Sequence, residues 1–154
     1  MTIAIFPGSF DPITKGHLDI LKQASEVFEK VIIAVAYNPD KKGFLPVEKR
    51  IMLIKECTKE ISNVDVDSFD GLTVEYAKHK GATVLIRGLR NLKDFEYEME
   101  LAQINRMLNP KIKTVFFTPK AENSFISSSA VREILGNNGD ISALVPKNII
   151  KLLF

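Results

Sequence analysis

Four short apolar runs, TIAIF (2–6), VIIAVA (31–36), TVLI (83–86) and TVFFT (114–118), constrain this chain more than any other feature. Each is nearly continuous in its hydrophobicity, as strands are when a parallel sheet is covered on both faces. A fifth run, VDVDSF (64–69), alternates between apolar and polar residues and is expected at an edge. Helical patterns stand between these runs. LDILKQASEVF (18–28) reads as one helix, with Gly16 and His17 at its start. In PVEKRIMLIKECTKEI (46–61), Val47, Ile51, Ile54, Thr58 and Ile61 make one continuous stripe, with Pro46 suited to a helix start. LTVEYAKHKG (72–81) ends on Gly81, a C-cap residue. The order predicts a single domain over residues 1–154. It is an open, doubly wound α/β fold of about five parallel strands with helices on both faces.

The helix expected over 94–108, DFEYEMELAQINRML, carries two apolar rows: Phe95, Met99 and Ala102, and Tyr97, Leu101, Ile104 and Leu108. One row suffices to cover a sheet. The second either packs against another copy of the chain or belongs to a broad face lying deep in the core. Charge is balanced, 21 Lys and Arg against 19 Asp and Glu. Neither nucleic acid nor an anionic membrane is therefore expected as a main partner, and phosphate chemistry would have to come from local placement. With Cys57 the only cysteine, an intramolecular disulfide and a Cys-rich metal site are excluded. The first apolar run is too short for a signal peptide, which makes a cytoplasmic protein the expectation.

Ligands of open parallel sheets bind beyond the carboxyl ends of the strands. Here those ends run into PGSFDPITKGH, YNPDKKG, FDGLT, RGLRN and PKAENSFISSS, so a parallel sheet brings all five clusters to one rim. His17 stands out among them. At a helix N-terminus an imidazolium opposes the helix dipole, so stability is a poor reason for it, whereas a hydrogen bond to a phosphoryl oxygen is a good one. His79, near a helix end, suits the dipole and reads as structural. Lys41 and Lys42 follow a turn and read by themselves as solvated loop charges. Arg87 and Arg90 flank Gly88 after a buried strand, suited to clamp phosphate oxygens or to pair with Asp94, Glu96 or Glu98. Ser127, Ser128 and Ser129 precede the helical AVREIL. One serine caps the helix; three offer a second anion site, with Arg132 a turn further in. No Walker A loop and no clean G-x-G-x-x-G is present.

Thr14-x-Gly16-His17 and ISSSAVR (126–132) resemble the [HT]-x-G-H and I-S-S-[ST]-x-x-R signatures of the nucleotidylyltransferase superfamily, in matching order and separation. The loop after the first strand, LIRGLR, DFEYEMELAQIN and SFISSS extend the resemblance over residues 2–150 to the bacterial phosphopantetheine adenylyltransferase family, with Phe6 at the tyrosine-like position. The resemblance implies a Rossmann-like nucleotidylyltransferase fold. It implies transfer of the adenylyl group of ATP to 4′-phosphopantetheine, giving dephospho-CoA and pyrophosphate with Mg2+ held mainly by ATP phosphates. It also implies a homohexamer, with CoA as a feedback ligand.

Carried over position by position, His17, Lys41, Arg90 and Ser128 are the catalytic set. Ser9, Phe10, His17, Gly88, Leu89, Arg90, Glu98, Asn123, Ser124, Phe125, Ile126, Ser127, Ser128 and Ser129 would meet ATP. Ser9, Lys41, Thr73 and Arg87 would meet the acceptor, and no residue is assigned to a metal. Ser9 stands where some members have threonine, and Thr73 at a variable, often apolar position. Two rivals stay open: a small nucleotidylyltransferase acting on nicotinamide mononucleotide or glycerol phosphate, and a non-catalytic nucleotide-sensing module. A class I aminoacyl-tRNA synthetase is excluded, because the chain has no KMSKS-like loop and no room for a tRNA-binding domain.

Overall fold

The computed structural model describes residues 1–154. Five strands, β1 (Ile3–Gly8), β2 (Lys30–Ala36), β3 (Val64–Phe69), β4 (Val84–Gly88) and β5 (Lys113–Phe117), form one sheet in the order β3-β2-β1-β4-β5. Every pairing is parallel. Helices α1 (Lys15–Val27), α2 (Val47–Thr58), α3 (Thr73–His79) and α4 (Leu92–Leu108) follow the first four strands in turn. A 3-10 turn (Ala121–Asn123), α5 (Ser128–Gly136) and α6 (Lys147–Ile150) follow β5.

The continuous apolar runs are explained by two cores, one on each side of the sheet. Ala4, Phe6, Val31, Ile33, Val35 and Ile86 join Leu21, Ala24, Leu53, Ile54, Val131 and Ile149 in a cluster of 21 buried residues. The alternate positions Ile5, Ile32, Ala34 and Leu85 join Val74, Ala77 and Ile112 in a cluster of only 9, so α3 and α4 cover their face thinly. Side chains that alternate across a strand thus find apolar partners on both sides.

Several boundaries differ from expectation for local reasons. Pro7 and Gly8 belong to β1. Its pairing with β4 ends at Ile5, so Pro7 lacks an N–H only where no second neighbour needs one. β4 likewise runs through Arg87 and Gly88, which puts Arg87 on the strand rather than after it. α2 stops at Thr58, leaving Ile61 beyond the helix. α4 begins two residues early, because Asn91 caps it by accepting the Asp94 N–H at 2.9 Å. β3 lies at an edge as its alternation implies, but β5 forms the other edge and no residue of it is buried. α4 is not deep in the core. Glu98 is its only buried residue, while Leu92, Phe95, Tyr97, Ile104, Met107 and Leu108 are exposed.

The topology points to one place on the rim. From β1 the chain winds outward through β2 to β3, then returns to the other side of β1 for β4 and β5. The strand order therefore reverses between β1 and β4. In such sheets the crevice at that reversal, at the carboxyl ends, is where ligands sit. Here it lies between residues 9–17 and 87–94.

Candidate active site

A cleft of about 310 Å³ occupies this point. Thr14 caps α1. Its hydroxyl accepts the His17 N–H at 3.3 Å, and its own N–H donates to His17 Nδ1 at 3.0 Å. This is a capping box with histidine where Glu or Gln is usual. A backbone N–H can only donate, so Nδ1 bears a lone pair and the neutral ring carries its proton on Nε2. The ring is also held sideways: Phe10 packs edge-on against it with centroids 4.9 Å apart, and Phe6 against Phe10 at 5.3 Å. Phe10 is 1% exposed and sits at φ 45°, left-handed backbone that a bulky residue rarely adopts. Strain of about 1–3 kcal/mol at such a position persists only where the surroundings enforce it. A Cβ at residue 8 would come within 3.1 Å of the Phe10 ring, so Gly8 makes the room.

Burial, then the charges of Arg90 and Arg87, lower the His17 pKa from 6.5 to about 4. The imidazole is thus neutral at physiological pH, a hydrogen-bond donor rather than a cation. Because the folded-state value is the lower one, His17 contributes stability that is fully present above about pH 6.5 and is lost as pH falls toward 4. The chain has two histidines, and His79 is exposed. We therefore expect proton NMR of the free protein to show the buried imidazole, that of His17, titrating near pH 4. A His17 titration near 6.5 would refute the neutral donor.

The arginines at the end of β4 are both oriented from α4. Arg87 forms a two-pronged ion pair with Glu98, Nε to Oε2 and Nη2 to Oε1 at 2.7 Å each, and donates through Nη1 to the Pro7 carbonyl at 3.1 Å. Arg90 pairs with Asp94 through Nε at 2.9 Å and donates through Nη1 to the Ile126 carbonyl at 2.9 Å. Glu96 takes no part. Both of the cleft's carboxylates are thereby spent on arginines, whose remaining N–H groups are left for a ligand.

The three serines divide their work. Ser127 caps α5 by accepting the Ala130 N–H at 3.1 Å, Ser128 donates to the Pro12 carbonyl at 2.8 Å, and Ser129 accepts from Arg132 Nη2 at 3.2 Å. Arg132 also donates to the Asp11 carbonyl at 2.8 Å, which ties the α5 start to the β1–α1 loop. The backbone N–H groups of Gly16, Ser128 and Ser129 have no protein acceptor, so two helix starts present donors to one cleft.

Of the residues singled out from the sequence, Ser9, Phe10, His17, Arg87, Gly88, Arg90, Glu98, Ile126, Ser127, Ser128 and Ser129 line this cleft. Lys41, Thr73, Leu89, Asn123, Ser124 and Phe125 do not. Lys41 and Thr73 follow β2 and β3, farther out along the same rim. Asn123 instead joins Gln23 and the Lys120 N–H in hydrogen bonding Asp19. Burial raises the Asp19 pKa, but these bonds outweigh it and hold the group ionised. Asp19, Asp11 and Arg50 escaped the sequence reading. Arg50 had a signal, since it lies three residues from Val47 and four from Ile54, on the apolar stripe itself. A larger hollow of about 590 Å³ runs along β3, away from the carboxyl ends of the strands; in it Lys80 pairs with Asp67 at 2.7 Å, while Asp65 and Lys59 pair with Lys30 and Glu56 outside its lining.

The family described as Cytidylyltransferase-like matches residues 5–134. The phosphopantetheine adenylyltransferase of Clostridium novyi (strain NT) is 51% identical over 151 residues, covering 98% of this chain and 94% of the relative. That of Gloeothece citriformis (strain PCC 7424) is 56% identical over 147 residues, covering 96% and 94%. A crystal structure from Vibrio parahaemolyticus, described as a nicotinate-nucleotide adenylyltransferase, superposes with a TM-score of 0.73 at 20% identity, covering 99% of this chain and 92% of that one. At that identity the likeness speaks for the fold alone.

Proposed function

The chain belongs to the cytidylyltransferase-like family and, within it, to the phosphopantetheine adenylyltransferases. On that premise we propose that it transfers the adenylyl group of ATP to 4′-phosphopantetheine, giving dephospho-coenzyme A and pyrophosphate. The observation that carries this reading is the meeting of the neutral His17 donor, Arg87, Arg90 and the starts of α1 and α5 around one cleft.

The acceptor is a phosphate monoester, already anionic near neutral pH, so its attack needs no strong base. One of its oxygens forms a bond to the α-phosphorus of ATP while the bridge to the β-phosphate breaks. Attack is in line and leaves no covalent enzyme intermediate. What the reaction needs is alignment of two anions and stabilisation of charge growing on the α-phosphate and the departing pyrophosphate. Nε2–H of His17 serves the α-phosphate, and Arg90 with the Ser128 and Ser129 N–H groups serves the leaving group. Ser9, Lys41, Thr73 and Arg87 hold the acceptor. Gly88, Leu89 and the segment 123–129 hold the nucleotide, while Phe10 orients His17 and Glu98 orients Arg87. No group of three or more His, Cys, Asp or Glu side chains is placed to hold a metal, and Asp94 and Glu98 are occupied by arginines. Mg2+ carried on the phosphate oxygens of ATP would neutralise part of their charge.

The test is pyrophosphate release with ATP, Mg2+ and each of three acceptors. Release with 4′-phosphopantetheine alone is expected. Release only with nicotinamide mononucleotide or glycerol phosphate would overturn the acceptor half, and ATP binding without any release would favour a nucleotide-sensing module.

No helix is long and apolar enough to cross a membrane, and a cytoplasmic site of action fits a phosphorylated, water-soluble substrate. The exposed apolar face of α4 supports assembly, which we assign to a homohexamer. A monomer by light scattering at micromolar concentration would refute it. Coenzyme A carries both halves of the product, and we propose it as a feedback ligand of the same site.

A further inference from the structure

The loop after β2 opens with a turn of its own and is fastened to another loop at its far end. At one end Asn38 accepts the Asp40 N–H on its side chain at 2.9 Å and the Lys41 N–H on its carbonyl at 3.0 Å. At the other end the Phe44 and Leu45 N–H groups donate to Oδ2 and Oδ1 of Asp11, each at 2.8 Å. Asp11 is held in turn by Arg50, whose Nε lies 3.4 Å from Oδ1, and each residue is 6% exposed. Arg50 Nε donates to the Leu45 carbonyl at 2.8 Å, and Nη1 to the Ser9 carbonyl at 3.3 Å. One guanidinium therefore grips the end of the Lys41 loop and the loop that carries Ser9. It lies so close that a Cβ at position 43 would collide with Nη2 and stand 2.9 Å from Asp11 Oδ2. Only glycine fits there.

Stability is a weak reason for this arrangement. Taking two charges out of water offsets most of their attraction, and well-packed apolar side chains would serve a core as well. What the pair supplies is a fixed relation between two loops that come from different strands. We propose that Arg50 and Gly43 are positioning residues, which seat the Lys41 loop on the Ser9–Asp11 loop and so set the distance between acceptor and nucleotide. The inference rests on the reading that Lys41 meets the acceptor phosphate.

Gly43→Ala tests it by pushing the Arg50 guanidinium aside, and Arg50→Lys by removing its fork while keeping the charge. Displacing the loop raises the KM for 4′-phosphopantetheine on the order of ten- to a hundredfold, as small misplacements do. The Kd for ATP changes severalfold less than that, because His17 and Arg90 keep their own contacts to Thr14, Asp94 and Ile126 and only Ser9 on the nucleotide side is gripped by Arg50. A purely structural role would lower thermal stability and leave the two substrates affected alike, and that result overturns the proposal. A cycle with Lys41→Ala isolates the route. If Gly43 acts through Lys41, the double variant is no worse in acceptor KM than Lys41→Ala alone, whereas additive effects refute it. Lys41→Ala without effect would remove the reading of Lys41 itself. Lys41→Ala with effect, and Gly43→Ala without, would remove only the present inference.

Discussion

His17→Ala lowers turnover by a factor on the order of 100 or more while leaving the fold and much of the ATP binding in place. The expectation follows from how the ring is held. Its Nδ1 is engaged by Thr14, its face by Phe10, and it is neutral in the free enzyme, so the one feature offered to a ligand is the Nε2 proton. A neutral donor adds little to ground-state binding of a triphosphate already met by arginines. It gains most when charge builds on the α-phosphate, and so its loss falls on kcat. The same mutation removes one half of the α1 capping box, a loss on the order of 1 kcal/mol that should appear in thermal stability. His17→Asn separates the two effects, because its amide can still cap the helix but cannot place a donor where Nε2 stood. Both variants should be catalytically poor, with the Asn variant the more stable. Loss of binding and folding together, with turnover per folded molecule unchanged, would refute a transition-state role.

Much of this site could be read from the chain because its motifs are local. Thr14, Gly16 and His17 lie within one helix turn, as do Ser127 to Ser129, and helix starts have a sequence signature of their own. The parallel sheet was equally legible, since strands buried on both faces leave continuous apolar runs. What could not be read is set by contacts far apart in sequence. Asp11 meets Phe44, Leu45 and Arg50 across more than thirty residues, and Asp19 meets Lys120 and Asn123 across about a hundred. A charged residue inside an apolar stripe is the only trace such a contact leaves, and Arg50 left one. β5 misled for a related reason. Its composition matches a central strand, yet strand order makes it an edge, and the apolar α4 beside it stays uncovered in the single chain. Apolar residues that await a partner chain look, in sequence, like residues that await a core.

The second large effect is expected for Arg90→Ala, which should lower kcat/KM by on the order of 100- to 1000-fold. Arg90 joins three parts of the site: it pairs with Asp94 on α4, donates to the Ile126 carbonyl ahead of α5, and lines the cleft that holds His17. Removing it takes away a transition-state charge and unties the serine segment from β4. It also leaves a trace that a simple structural lesion does not. After burial, the charge of Arg90 is the largest cause of the low His17 pKa. Without that charge the imidazolium is less disfavoured, so the His17 pKa must rise from about 4 toward the ordinary 6.5, and only partway because burial remains. The sign follows from Coulomb's law whatever the dielectric. Resonances of the two imidazoles are easily told apart, since His79 is exposed and distant from the cleft. An upward shift confined to His17, with a large loss of activity, would show that Arg90 acts as a charge within the His17 site. The same loss of activity with His17 unmoved would mean that Arg90 serves only to tie the Ile126 segment in place. Arg90→Lys then discriminates further, because lysine keeps the charge but not the fork that reaches Asp94 and Ile126 together. It should hold the His17 pKa low while recovering only part of the lost rate.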